Sequence, residues 1–276
     1  NPKDSDVNVI VTCTVKTATA NRMFHRIKKL SENNSALVVA GCMPKTQAKE
    51  IKKLNPNASL MGPDSIDQIT DIVNSTLNGT PLIQLGKSTK PKVLLPKIRI
   101  NPVIDIVEIG TGCLSSCTFC QVKIAKGTLI SYPPNAIVEQ IQKSTDSSCR
   151  EIWLTSTDNG CYGMDMSMDL ADLLTSIVDI QNNFLVRVGM MNPMHTKKKF
   201  HKLFNIFSHD KIYKFLHIPV QSGNNRVLKS MLRGHSREDY ILMCSSFREK
   251  FPLSSIATDI IVGYPTESDE EFRDTV

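Results

Sequence analysis

Short apolar, β-branched runs alternate with helical patterns along almost the whole chain, and this alternation limits the fold more than any other feature. Residues 7–15 (VNVIVTCTV) and 36–42 (ALVVAGC) read as two buried strands. Between them, Met23, Ile27 and Leu30 share one helical face, with basic residues around them. Residues 43–54 (MPKTQAKEIKKL) read as one second helix, with Pro44 suited to its first turn. Residues 58–79 give a strand end, a turn and a third helix closed by Gly79. Such alternation implies an α/β domain with a parallel, doubly wound sheet over residues 1–79.

Residues 80–102 break the pattern. Four prolines, five basic residues and no sustained period mark them as a linker, whose charges solvate an exposed segment. A second alternating series then fills residues 103–276, with strands expected at 103–109, 150–155, 184–190, 212–218 and 255–262. Helical patterns such as NAIVEQIQKS, DLADLLTSIVDI and REDYILMCSSFREKF lie between them. Five βα-type units without a hairpin signal predict a barrel or half-barrel of parallel strands. The polar motifs follow the strands directly, at the carboxyl ends where such folds place their chemistry.

Composition narrows the class. In 276 residues, 41% are hydrophobic and 22% charged, as in an ordinary globular protein of one or two domains. No run reaches the roughly 18 apolar residues of a membrane span. The start shows no basic and apolar leader pattern and enters a strand almost at once, and the end stops inside a helical pattern; both are expected of a fragment of a longer protein. The net charge of +6 is compatible with an RNA partner without proving one. Eight cysteines at uneven spacing fit a reducing cytosol with some metal-bound thiolates better than a disulfide scaffold.

Three of those cysteines carry the chemistry. Cys113, Cys117 and Cys120 stand in EIGTGCLSSCTFCQVKIAKG as C-x3-C-x2-C. Structural zinc takes four protein ligands, and no fourth Cys or His lies at knuckle distance. A four-iron, four-sulfur cluster on three thiolates fits better, because one iron is left for an exogenous ligand. Phe119 can shield such a cluster, and flanking glycines let the backbone wrap it. Zinc or plainly buried cysteines remain the alternatives at this level.

This motif after the first strand of a βα series resembles the radical S-adenosylmethionine (SAM) superfamily. The resemblance implies that the free iron chelates SAM, and that Cys113, Cys117 and Cys120 serve the catalytic cluster. TCTVK (12–16) and VVAGCMP (38–44) further resemble the N-terminal domain of methylthiotransferases, which holds a second cluster on three cysteines. Cys13 and Cys42 match two of these, and the third is expected upstream of residue 1. STDNGCYGMD, RVGMMNP, FLHIPVQSGNNRVLKSMLRGHSREDY and ATDIIVGYPTESDEEF resemble the archaeal and eukaryotic branch. That branch converts N6-threonylcarbamoyladenosine at position 37 of tRNA to its 2-methylthio derivative. The implied fold is a partial N-terminal α/β domain followed by a radical SAM partial (β/α) barrel, without the family's C-terminal TRAM domain. The implied partners are the tRNA anticodon loop, SAM and a ferredoxin- or flavodoxin-type electron donor, in the cytoplasm.

Two departures stand out: Val11 replaces the Asn usual before the TC pair, and Ala125-Lys126-Gly127 replaces Ala-Arg-Gly. Lys keeps the charge and loses the guanidinium fork. Thr157 and Asp158 fall where radical SAM enzymes hold the SAM amino group, although an ordinary polar turn would read the same. Asn192 either faces SAM or starts a turn before Pro193, and His217 and Gln221 flank Pro219 at a strand mouth, with Gln221 expected to face the cofactor. Lys197, Lys198, Lys199 and Lys202 read as a solvated helix face, with phosphate contact the lesser reading. Cys149, Cys161 and Cys244 read as structural, Cys161 standing where the family has a small residue; Met190 and Met191 read as packing. Rival functions are methylthiolation of isopentenylated adenosine or of a ribosomal protein and, in another class, an iron–sulfur electron carrier or binding module.

Overall fold

The computed structural model describes residues 5–32, 35–88 and 90–276. They form two compact units: residues up to Lys92 together with Cys120–Gly127, and Val93–Phe119 together with Thr128–Val276. Among the described residues no helix is long and apolar enough to cross a membrane.

In the first unit, β1 (Val7–Thr12), β2 (Ala36–Gly41), β3 (Ser59–Met61) and β4 (Ile83–Gln84) make one sheet in the order β1-β2-β3-β4, all parallel. Alternate side chains of β2 supply two separate cores. Leu37 and Val39 pack with Ile27 and Leu30 of α1 (Thr17–Ser31), and with Met43 of α2 (Met43–Thr46) and Ile51 of α3 (Ala48–Leu54). Val38 and Ala40 pack with Met61 and with Ile72 of α4 (Ile69–Leu77). Helices therefore cover both faces, as the doubly wound expectation required.

Three expectations for this unit need correction. The strand at 7–15 ends at Thr12 and is not buried throughout: as an edge strand it leaves Val9 45% and Val11 75% exposed. The helix expected over 43–54 is broken at Gln47, whose φ of −140° and ψ of 35° end α2 and start α3. Residues 80–85 are not linker, since Ile83 and Gln84 complete the sheet beside β3. The last strand was hidden because a two-residue strand is too short to show a period. Gly79 closes α4 as expected. A short helix, α5 (Val122–Lys126), also belongs to this unit.

The second unit is built on β5 (Ile104–Glu108). After a short antiparallel pair, β6 (Gly110–Thr111) with β7 (Ile130–Ser131), it continues through α6 (Pro134–Asp146), β8 (Glu151–Thr155), α7 (Leu170–Val178) and β9 (Leu185–Val188). Strands β5-β8-β9 form a parallel sheet. Then follow α8 (Pro193–Thr196), α9 (Phe200–Ile206), β10 (Phe215–His217), α10 (Asn225–Ser230), α11 (Arg237–Lys250), β11 (Ser255–Ala257) and α12 (Asp269–Thr275). Strands β10 and β11 pair in parallel, and a parallel bridge from Val186 to Ile212 links β9 to the segment entering β10. All five expected strands are present, shorter than drawn. The β6–β7 pair is the hairpin-like element that the sequence reading lacked; it straddles the cysteine loop rather than a tight turn, so no turn signal marks it.

Packing follows the period. Ile137 and Ile141 of α6, Leu173, Leu174 and Ile177 of α7, and Ile152 and Leu154 of β8 form one core. Phe247 of α11 meets Phe204, Phe207 and Phe251 edge-on at centroid distances of 4.9, 5.6 and 5.0 Å. Asp105 is buried in β5, and Lys97 Nζ lies 2.6 Å away. The expected charge run is mostly paired: Lys197 meets Asp239, Lys199 meets Asp169, and Lys202 meets Asp169 and Asp172. Cys149 is buried and donates to the Val103 carbonyl, and Met191 is buried, both as expected of packing residues.

Candidate active site

The carboxyl ends of β5, β8 and β9 converge on one carboxylate. Asp158 is 2% exposed, and its Oδ1 accepts the backbone N–H groups of Gly160 and Asn192, each at 2.9 Å. Its Oδ2 lies 4.0 Å from Cys113 Sγ and 3.8 Å from His195 Nε2. Asn192 caps α8 by accepting from Met194 N, and its Nδ2 donates to Ser115 Oγ at 3.1 Å. Ser115 Oγ in turn pairs with His195 Nε2 at 2.8 Å, while the Ser115 N–H donates to Cys113 Sγ at 3.2 Å. One network thus ties the cysteine loop to the loops after β8 and β9.

Gly189 lets the β8 and β9 loops approach. A Cβ there would sit 2.6 Å from both the Leu154 carbonyl and Asn159 Nδ2. Asn159 uses both its backbone N–H and its Nδ2 to hold the Met190 carbonyl, at 3.0 and 3.1 Å.

The donor set suits a metal cluster. The Cys113 thiol is held well below the ordinary thiol range, first by the Cys161 thiol that donates to it, and against burial also by His195 and Ser115. Cys161 is correspondingly pushed up, as the proton-bearing partner, and its sulfur lies 3.2 Å from the Asp158 carbonyl oxygen. Burial raises Asp158 to about 6 despite its amide donors. Cys117 receives a contact from Arg233 Nη1 at 3.4 Å. Thiolates stabilised in this way are what iron needs. Thr157 Oγ1, Ser156 Oγ and Thr111 Oγ1 are buried with no hydrogen-bond partner among the described residues. A polar ligand such as an amino acid moiety would satisfy such groups.

The expected residues divide accordingly. Cys113, Asp158 and Asn192 come together. Phe119 is 37% exposed. His217 and Gln221 turn to β11 and the residues after it. His217 Nε2 pairs with Asp259 at 2.9 Å, and Gln221, at φ +74°, takes the Asp259 carbonyl with its N–H and bridges to Ile260. Cys120 lies with α5 in the first unit. Cys161 packs as expected, yet it also lies against Cys113. Ser115, His195 and Arg233 escaped the sequence reading. Ser115 was legible only as part of the cysteine loop, and His195 as one turn beyond Asn192. Arg233 had no local signal at all.

In the first unit Cys13 lies close enough to Cys42 to disfavour ionisation of the Cys42 thiol. Gly41 makes this corner possible: at φ +95°, a Cβ would stand 2.5 Å from the Thr12 carbonyl. Burial holds the Cys42 thiol up, while Lys126 and Lys92 pull it down. Lys126 therefore supplies positive charge where the family usually has Arg.

Comparison with known proteins agrees with this geometry. The N-terminal residues 1–62 match the model of Uncharacterized protein family UPF0004, and residues 107–276 match that of the Radical SAM superfamily. A probable threonylcarbamoyladenosine tRNA methylthiotransferase of Methanothermobacter thermautotrophicus is 40% identical over 274 residues, 99% of this chain and 65% of that protein. The Mus musculus threonylcarbamoyladenosine tRNA methylthiotransferase is 40% identical over 286 residues, all of this chain and 49% of that protein. The chain thus spans about half to two thirds of the length of these relatives. Among solved structures, the radical SAM methyltransferase TsrM from Kitasatospora setae superposes with a TM-score of 0.71 at 11% identity, over 98% of this chain and 59% of that one. The cobalamin-dependent radical SAM enzyme OxsB superposes at 0.68 and 12% identity, over 98% of this chain and 43% of that one. These two show the fold, and the resemblance to the archaeal and eukaryotic methylthiotransferase branch holds across both units. With the family model covering residues 107–276, from the end of β5 through the final helix, and the cysteine loop standing at the strand ends, the chain belongs to the radical SAM superfamily.

Proposed function

We propose that this chain carries the radical-generating part of a tRNA methylthiotransferase, acting on N6-threonylcarbamoyladenosine in the anticodon loop and forming its 2-methylthio derivative. The supporting observation is identity of about 40% to relatives of that name across 99–100% of the chain, through both the N-terminal domain and the barrel. The superfamily works with a four-iron, four-sulfur cluster and SAM. Cys113, Cys117 and Cys120 would hold the cluster, and Cys13 and Cys42 would contribute to a second, sulfur-supplying one. Held there, a cluster and SAM would supply the one-electron chemistry that removes a hydrogen atom from the substrate.

The chain's own residues bind, orient and exclude water. Cys161, with His195 and Ser115, favours the anionic form of the Cys113 sulfur. Asp158 uses one oxygen to accept from the amides of Gly160 and Asn192, which ties the loops after β8 and β9 together. Thr157 and Asn192 offer polar groups to the amino acid end of SAM, and His217 and Gln221 close the far strand ends. Phe119 covers the cysteine loop from solvent. An adenosine splayed out of its loop is the form of substrate that can enter a barrel mouth. The electron donor would be a ferredoxin or flavodoxin, and the compartment the cytoplasm.

Two measurements test this reading. Reduced, anaerobically reconstituted chain should cleave SAM to 5′-deoxyadenosine, and Cys113→Ala, Cys117→Ala and Cys120→Ala should each abolish it. Nucleoside mass spectrometry of tRNA from a deletion strain should lack 2-methylthio-N6-threonylcarbamoyladenosine. Loss of an isopentenylated methylthio nucleoside instead would refute the substrate assignment, and no SAM cleavage by the parent chain would refute the enzyme.

A further inference from the structure

Arg233 lies between α10 and α11 and is only 5% exposed. Its Nη2 donates to the Pro219 carbonyl at 2.9 Å, its Nη1 reaches Cys117 Sγ at 3.4 Å, and its Nε has no partner among the described residues. No carboxylate pairs with it among the described residues. A buried guanidinium held only by a neutral carbonyl is strongly disfavoured, because desolvation of the cation is not offset. The Cys117 sulfur is the group able to supply the missing negative charge.

The local backbone supports the same reading. Leu232, immediately before Arg233, has φ +56°, a left-handed conformation that a γ-branched residue rarely adopts. Strain of that kind persists where the surroundings over-determine a position, and here it aims Arg233 at the cysteine loop. His235, two residues on, is held down to about 4 by burial and then by the positive field of Arg233, so that field is felt nearby.

We propose that Arg233 is a positioning residue of the cluster site, the buried counter-ion of the Cys117 thiolate, and that it sets the reduction potential of the cluster held there. The inference rests on the reading of Cys117 as a cluster ligand. A positive charge and an N–H donor on a cluster sulfur stabilise the reduced form, which carries one more negative charge. Arg233 therefore raises the potential and eases the entry of the electron. Lysine in its place keeps the charge and loses the fork that reaches carbonyl and sulfur together.

The test is a potentiometric titration, followed by electron paramagnetic resonance, of anaerobically reconstituted chain. Cys13→Ala and Cys42→Ala are included so that one cluster titrates. Arg233→Met should retain iron and sulfide at parental content and titrate at a more negative potential. The expected change in the oxidised-to-reduced ratio at fixed potential is about tenfold, equivalent to ~59 mV for one electron. Arg233→Lys should recover part of the shift. A parental potential in Arg233→Met with the cluster intact overturns the inference. If Arg233→Met fails to fold or to hold iron, Arg233→Gln takes its place, since it also removes the charge, and an unshifted potential there overturns the inference equally. Cys117→Ala separates the two claims: an unchanged cluster in that variant refutes the ligand reading itself, whatever Arg233 does.

Discussion

Replacing Asp158 by alanine should loosen the loops around the candidate site by a calculable amount. The carboxylate is buried, and Oδ1 is the acceptor for two backbone amides, Gly160 N and Asn192 N, each at 2.9 Å. A buried donor left without an acceptor costs about 1–3 kcal/mol, so two lost together cost roughly 2–6 kcal/mol. Water entering the space left by the carboxylate can restore one bond, which brings the expected loss to about 1–3 kcal/mol. Asparagine retains Oδ1 and both amide bonds, and its Nδ2 faces Cys113 Sγ and His195 Nε2 as a donor; it should cost no more than about 1 kcal/mol. Amide hydrogen exchange in the cluster-free, reduced chain reads the effect at the site. Gly160 and Asn192 should exchange roughly 5- to 150-fold faster in Asp158→Ala, by the relation of about 1.4 kcal/mol per tenfold. Unchanged exchange in Asp158→Ala would show that these amides find other partners. Equal damage from Asn and Ala would show that charge, not acceptor geometry, is what the loops need.

Three further outcomes are expected. Gly189→Ala should destabilise the second unit by about 1–3 kcal/mol in a urea melt, because its Cβ meets backbone and amide atoms at 2.6 Å; a neutral result would mean that the β8 and β9 loops can part freely. Phe247→Ala should cost about 3–5 kcal/mol, since the ring is fully buried among three other phenylalanines, and Phe247→Leu clearly less. Burial, then the charge of Arg233, lowers His235 from 6.5 to about 4 in the folded chain. Between those values the unfolded chain binds a proton that the folded one refuses. Stability should therefore rise by about 3 kcal/mol from pH 4 to 6.5 and be flat in this term above. Unfolding midpoints of His235→Gln across that range should lack this rise, and an identical slope in parent and variant would contradict the assignment.

Much of the architecture was legible in the residues alone, because backbone hydrogen bonding and hydrophobic burial act locally enough to leave a period. The runs at 36–42 and 150–155 announced β2 and β8, and the alternating faces of Leu37, Val38, Val39 and Ala40 already contained both cores. The spacing of Cys113, Cys117 and Cys120 marked a candidate cluster motif, since residues a few positions apart need no fold to bring them near. Where no period exists, the sequence was silent. The two-residue strand β4, the break at Gln47 and the exposure of Val11 on an edge each depend on what lies beside them. The same holds at the site. That Asp158 would grip Asn192, that Ser115 would join it to His195, and that Arg233 would lie buried against Cys117 depend on contacts spanning 34 to 116 positions. Composition and spacing do not encode such distances; only the closing of strands into a sheet brings them within hydrogen-bond reach, and only burial makes an unpaired charge or amide costly enough to matter.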